Sequence, residues 1–318
     1  MLTPEVDVLV PGAWSSDGLA ATLASLASQR YPAFSIVAAR PPTAAAVTPI
    51  ADICAILEVR GHAVRMTDLP AGLTPSGRRQ ALLDAATAPY VLVVEDDIFL
   101  EPDLLGRMVA AIRTTRCGLV GSAPVDLRFR AEHRPSEQAI EFWDGPVRPE
   151  EIGVGSRAWA RRRVHRGANL EHLRERLPRT RDRLYRIADI RGCVLYDRNA
   201  LRAAGGFVAV GRHRDQVPLS VEASAQLRVI ARDGGAGLFP SGTYRLTHGR
   251  AGVSIDAAPS EEPSGDGPHP ATGRAPRRHR RLRGASPARR MTGRRQIKAP
   301  GRSHRHEAAR PAGGGRDR

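Results

Sequence analysis

The sequence predicts an α/β protein: a mostly parallel sheet flanked by helices, followed by a disordered basic C-terminal tail. Three observations carry that reading. Short apolar runs alternate with stretches of helical period through the first half of the chain. One of these runs, Tyr90-Val91-Leu92-Val93-Val94, leads directly into three consecutive carboxylates, Glu95, Asp96 and Asp97. From Asp256 onward the composition changes to Arg, Pro, Gly, Ser and His with almost no large apolar residues.

The elements follow in order. Val6 to Val10 reads as a first strand, ended by Pro11-Gly12. Ser15, Ser16 and Asp17 offer caps for a helix bearing Leu19, Leu23 and Leu26. Phe34 to Ala39 is a second strand, Ile50 to Arg60 a helix, and Ala63 to Met66 a weak third strand. Gly72 to Gly77 reads as a loop, and Arg78 to Ala88 as a helix broken before Pro89. Tyr90 to Val94 then reads as a buried parallel strand, with a helix from Pro102 to Arg113 and a strand at Leu119 to Ser122. Beyond Pro124 the pattern loosens. Asn169 to Leu177 is helical in pattern, Cys193 to Tyr196 a strand, Arg198 to Ala204 a helix and Gly205-Gly206-Phe207 a tight turn. Ala223 to Arg232 is a helix stopped by Gly234-Gly235, and Gly237 to Phe239 and Tyr244 to Thr247 are the last strands.

Charge divides the chain. Residues 256–318 hold sixteen Lys and Arg against six Asp and Glu, most of the formal net charge of +16. Such a stretch buries too little apolar surface to offset chain entropy. The expected organisation is therefore a folded domain over 1–255, its halves meeting near residue 125, and a tail over 256–318. Arg pairs in the tail attract polyanions or an anionic membrane surface. The tail has no aromatic residue on which bases could stack. A low-complexity extension without a role is the other reading. Cys54, Cys117 and Cys193 are far apart and unpaired, which suits a reducing, cytoplasmic setting rather than a disulfide framework or zinc site. The N-terminus does not read as a signal peptide, and no apolar run is long enough for a transmembrane helix. Contact with the inner face of the membrane stays open through the tail.

The acidic triplet carries the chemistry. Open α/β sheets bind ligands beyond the C-terminal ends of their strands, where Glu95, Asp96 and Asp97 fall. Like charges this close disfavour one another's ionisation, and a divalent cation removes the conflict. A plain acidic loop is the alternative.

Several segments together resemble the family 2 glycosyltransferases, which have a GT-A fold. These are the first strand with its Pro11 turn, Gln29-Arg30-Tyr31-Pro32-Ala33-Phe34, Arg79-Gln80, Ala86-Thr87-Ala88-Pro89-Tyr90, and Leu100-Glu101-Pro102 behind the acids. Ala204-Gly205-Gly206-Phe207, the segment Ala225 to Gly235 and His248 extend the likeness to about residue 250. The resemblance implies a GT-A-like domain with a nucleotide-sugar half over about 1–125 and an acceptor half over about 126–255. It implies transfer of a sugar, with inversion, from a nucleotide-sugar donor to an acceptor hydroxyl on a glycan, a lipid-linked molecule or a small molecule. It implies Mg²⁺ or Mn²⁺ held by Asp97 and Glu95, with His248 as a further ligand. Pro11, Arg79 and Asp96 fall to the donor, and Glu222 to the role of base.

Each assignment has a plainer counterpart: a strand-end cap for Asp96, a helix-dipole acid for Glu222, a structural histidine for His248, and a solvated charge for Arg79. Two positions depart from the family. Arg40-Pro41 stands where an Asp usually holds the nucleotide base, and Glu222 is the one carboxylate where an acidic pair is usual. Trp143, Asp144 and Trp159 are candidates for an acceptor groove, with buried core as the alternative for the tryptophans. Arg161 to Arg163 with His165 and Arg166 read as a solvated face, or as a site for an acidic acceptor or lipid phosphate. Rival functions are a nucleotidyltransferase, or a catalytically impaired domain whose basic tail binds polyanions. The first is weakened because Pro11 to Gly18 has no Lys or Arg.

Limited trypsin digestion should cleave after Ile255 first, and a chain ended there should keep the thermal transition of the full chain. A tail that resists trypsin, or a truncated chain that does not fold, would contradict the expected boundary.

Overall fold

Val6–Val10 forms β1, buried along its whole length, because an apolar run of this kind can be covered on both faces. The computed structural model describes residues 5–12, 16–40, 47–132, 139–165, 170–176, 182–208 and 219–246. These lie in one unit, Met1–Ser260. The tail expected at 256–318 and the expected ligand His248 lie outside the described residues.

Four parallel strands run side by side in the order β3 (Val64–Thr67), β2 (Phe34–Ala39), β1, β4 (Tyr90–Val94). The sheet continues through β9 (Cys193–Asp197), β6 (Leu119–Gly121), β10 (Gly235–Phe239) and β8 (Arg183–Tyr185). β9 is antiparallel to both β4 and β6, so the sheet is mixed at its centre. Because β6 and β10 again run parallel to β4, their C-terminal ends share one edge with those of β1 to β4. A second, three-stranded sheet joins β5 (Ile98–Leu100), β11 (Thr243–Arg245) and β7 (Val125–Asp126).

Alternate strand residues feed two cores, since successive side chains point to opposite faces. Val6, Val8, Val10, Leu92 and Val94 pack with α1 (Ser16–Ala27), α2 (Val47–Val59) and α4 (Leu104–Thr115). Leu9, Val91 and Val93 pack with α3 (Pro75–Ala85), α5 (Arg198–Ala203) and α6 (Val221–Asp233). The result is the expected α/β layering, a mostly parallel sheet flanked by helices. Among the described residues, no helix is long and apolar enough to cross a membrane. All three cysteines are free thiols.

The differences from the sequence reading have local causes. α3 starts at Pro75, because Thr74 caps it by accepting from the Gly77 amide at 3.1 Å. α4 starts two residues past Pro102, because β5 takes up the residues before it. There the side chain of Gln29 donates to the Glu101 carbonyl (2.8 Å) and accepts from the Leu105 amide (3.1 Å). The segment expected as an α-helix near 170 is a 3₁₀ helix, Leu170–Arg176. β5, β7 and β8, of three residues or fewer, were not expected, whereas the equally short β6 and β11 were.

One buried acid anchors the approach to β4. Asp7, 2% exposed within β1, accepts from the amides of Thr87 (2.6 Å) and Ala88 (2.8 Å) and from the hydroxyl of Ser35. Asp7→Ala would leave these donors buried and unpaired, and is expected to lower stability by about 3 kcal/mol or more. Urea denaturation reads it, and a loss below about 1 kcal/mol would show that water replaces the carboxylate.

Candidate active site

The acids sit at the shared C-terminal edge. Glu95 directly follows β4, and its amide donates to the Gly192 carbonyl at 2.9 Å, just before β9 begins. Its side chain and that of Asp97 are each 25% exposed. Asp96 is only 3% exposed and offers little surface to a ligand, which favours its loop-ordering role over contact with a ribose. Pro11 is buried at the end of β1, on the same edge.

Two arginines meet these carboxylates. Arg245, on β11, donates from Nη1 to both Asp97 oxygens (3.0 and 2.7 Å) and from Nη2 to Glu95 (2.7 Å). Arg79, on α3, lies 3.7 Å from Glu95 and 3.4 Å from Glu222. Burial pushes the Glu95 carboxyl up, but the charge and hydrogen bond of Arg245, with Arg79 and Arg191, hold it below the ordinary range. Burial works against the charge of Arg245, and Glu95 and Asp97 outweigh it, holding that guanidinium above its ordinary value.

Glu222 enters from the opposite side. Ser220 caps α6 by accepting from the Ala223 amide at 3.1 Å, placing Glu222 in the first turn. Its side chain is 11% exposed. Burial raises its pKa, Arg79 opposes, and Glu95 raises it again, so that it stands at about 7. One turn later, Gln226 grips the strand-edge segment, accepting from the Ile190 amide (2.8 Å) and donating to the Ile190 carbonyl (2.6 Å). That grip fixes Asp189 to Arg191 near Glu222. The turn Gly205-Gly206-Phe207 has its own fit. A Cβ on Gly206, at φ +58°, would come within 2.5 Å of the Gln80 side chain, which accepts from the Phe207 amide at 2.8 Å.

Arg79 thus lies against Glu95 and Glu222, and Arg245 joins Glu95 to Asp97. Arg245 was missed. Three crowded acids signalled a cation, but this one lies 148 and 150 positions away in the chain. Other expectations need correction. Arg161 and Arg162 are not a solvated face and are not free for an anion. Arg161 pairs with Glu150 (2.7 Å) and Glu141 (3.0 Å), and Arg162 with the buried Asp189 (2.8 Å). The side chains of Arg163 and His165, and all of Arg166, lie outside the described residues. Trp143, partly buried, packs against the core with the Arg186 guanidinium 3.8 Å from its ring centre, and the Arg162 guanidinium lies 4.6 Å from the ring centre of Trp159. Asp144 is exposed. Arg40 forms an exposed pair with Asp68 (2.7 Å) across the ends of β2 and β3.

A divalent cation on Glu95 and Asp97 would need oxygen atoms that Arg245 already occupies. Among the described residues, no group of three or more His, Cys, Asp and Glu is placed to hold a metal. In this arrangement the donor set does not fit the expected ion.

The glycosyl transferase family 2 model matches residues 8–201, more than half of the chain. The chain belongs to that family. The match covers Pro11, Arg79 and the acids, and ends before Glu222 and Arg245. A search of curated proteins found no match. Among solved structures, TarS 1-349 of S. aureus is similar with a TM-score of 0.49 at 14% identity, over 76% of this chain and 60% of that one. The same protein with UDP-GlcNAc aligns over 81% and 61%, with a TM-score of 0.48 at 14% identity. The mannosyltransferase PcManGT from Pyrobaculum calidifontis, in complex with GDP-Man and Mn²⁺, aligns over 74% and 55%, with a TM-score of 0.46 at 16% identity. The chain therefore spans little more than half the length of these structures.

The raised Glu222 has a stability consequence. Burial in the folded family 2 domain holds this proton up to about pH 7, whereas the unfolded chain releases it at the ordinary carboxyl value of 4.5. Stability should therefore fall as pH rises between those values and level off above them. Glu222→Gln removes that slope. It should be more stable than the parent near pH 8, by on the order of 1–3 kcal/mol, and equal to it near pH 4. Equal urea midpoints near pH 8 would mean that the carboxylate ionises without strain.

Proposed function

We propose that the protein transfers a sugar from a nucleotide-sugar donor to an acceptor hydroxyl, with Glu222 as general base. The observation that carries the reading is the shared guanidinium. Arg79 touches both Glu222 (3.4 Å) and Glu95 (3.7 Å), so a buried carboxyl with a pKa of about 7 faces the strand-end cluster across one side chain. Family membership supports the reaction class, and a pKa near neutrality suits a base at neutral pH.

In this reading the donor lies along the edge formed by Pro11, Arg79 and the end of β4. The acceptor oxygen attacks the anomeric carbon from the side opposite the diphosphate. A new C–O bond forms, the bond to the diphosphate oxygen breaks with its electron pair, and the acceptor proton passes to Glu222. A single displacement inverts the anomeric centre. Arg79 steadies the charge gathering on the leaving group, as fixed cations do where charge develops in a transition state. Arg40 stands at the end of β2, where an Asp would accept from a uracil N–H, so base recognition here is assigned to other contacts. The acceptor enters from the α6 side, past Ser220 and the exposed Arg191.

Nucleoside diphosphate release, measured over a panel of nucleotide-sugars and saccharide acceptors, tests the reading. Glu222→Gln should lower turnover by about 10²–10⁴-fold. Donor affinity by calorimetry should stay within about threefold of the parent, because Gln keeps the shape of the site. Parent turnover should rise with pH through about 7, as Glu222 loses its proton. A variant as active as the parent would remove Glu222 from the mechanism.

A further inference from the structure

The cation in the acid cluster is part of the protein. Arg245 binds both oxygens of Asp97 and one of Glu95, the two-point geometry to which a planar guanidinium is suited. Its backbone is fixed beside those acids. β11 pairs Arg245 with Ile98 of β5 on one side and Asp126 of β7 on the other, and the next amide, Leu246, donates to the Asp97 carbonyl at 2.8 Å. The surroundings are shaped to it as well. Gly192, at φ +92°, has no side chain, and a Cβ there would stand 3.1 Å from Nη2 of Arg245 and 2.7 Å from Pro124.

Charge points the same way. Glu95 and Asp97 face Arg245, and Glu95 shares Arg79 with Glu222. A dication on the same oxygens would lie against two guanidinium groups in a half-buried site, where like charges are poorly screened. The Nε of Arg79 is buried and has no hydrogen-bond partner among the described residues.

We infer that Arg245 is the resident cation of this site: a guanidinium, in place of a divalent metal, offsets Glu95 and Asp97, and the donor diphosphate binds without Mg²⁺ or Mn²⁺. The inference rests on the nucleotide-sugar reading above for its ligand, but not for its ion. Arg245 holds the two acids together and cancels their field, so that the diphosphate meets Arg79 rather than a bare pair of carboxylates.

Two titrations on the full chain test this. Free Mn²⁺ is followed by electron paramagnetic resonance without nucleotide, and UDP-GlcNAc and GDP-Man binding is followed by calorimetry in EDTA and in Mn²⁺. The parent should hold Mn²⁺ no tighter than about millimolar, and a bound nucleotide-sugar should show the same affinity, within about threefold, in both buffers. Arg245→Gln should bind Mn²⁺ at least about tenfold more tightly, since removing a positive neighbour frees both carboxylates. Asp97→Asn in that background should abolish the gain. Arg245→Lys, which keeps the charge and loses the fork, should stay close to the parent in Mn²⁺ affinity, and it replaces the Gln variant if that does not fold. Micromolar Mn²⁺ binding by the parent, lost in Asp97→Asn, would overturn the inference, as would donor binding seen only with Mn²⁺. If neither nucleotide-sugar binds in either buffer, the donor reading fails, and the Mn²⁺ titration still decides the role of Arg245.

Discussion

Two carboxylates at the end of one strand, each three-quarters buried, cannot both stay ionised without a cation between them, and the architecture around this domain's site answers that constraint. The apolar run of β4 delivers Glu95 and Asp97 to the sheet edge. β5 then turns the chain away, and β11 returns from the far end of the domain to place Arg245 against them. Breaking such a half-buried pair by removing one partner costs more than the pair contributes, because the remaining charge is stranded. The small sheet of β5, β11 and β7 thus has a stated job. It carries a guanidinium to two carboxylates 148 and 150 positions away in the chain.

The same logic of buried polar groups fixed by remote partners recurs at each support of the site. Asp7 holds the approach to β4 through two amides. Gln29 closes the entry to α4 with one donated and one accepted bond. Gln226 grips Ile190 in the same two-sided way, and Arg228 donates to the carbonyls of Ala204 (2.6 Å) and Gly206 (2.8 Å). Each is a polar side chain whose removal would leave buried backbone groups unpaired, which is why these positions hold the strand ends in register rather than merely near one another.

What could be read from the sequence follows from this division. The strands β1, β2, β4 and β9 were legible because both faces are buried and the run is continuously apolar. The start of α6 was less exact by two residues, since Ser220 rather than the apolar period sets it. Glu222, Arg79 and the acids were legible as types in sequence order. Their union through one guanidinium was not, because it depends on α3 and α6 converging over the sheet. Arg161 and Arg162 show the opposite failure. A basic run looks solvated until the chain fold brings Glu150, Glu141 and Asp189 to it. Arg245 was legible only as part of a last strand, Tyr244 to Thr247, with nothing to mark its partners. Its strand has three residues and its partners are in the first third of the chain.

The sharing of Arg79 also links the two ends of the proposed reaction. Its guanidinium lowers the proton affinity of Glu222, against the effect of burial, and it touches Glu95 as well. A diphosphate beside Arg79 would draw part of that positive field away from Glu222 and add negative charge nearby. Both changes raise the proton affinity of the carboxylate. On the proposed reading, the base therefore strengthens as the leaving group gathers charge, at the moment when the acceptor hydroxyl must lose its proton. The linkage is reciprocal. Protonation of Glu222 removes a competitor for Arg79 and leaves the guanidinium to the departing diphosphate. On that reading a single arginine between Glu222 and the donor couples proton transfer to bond cleavage.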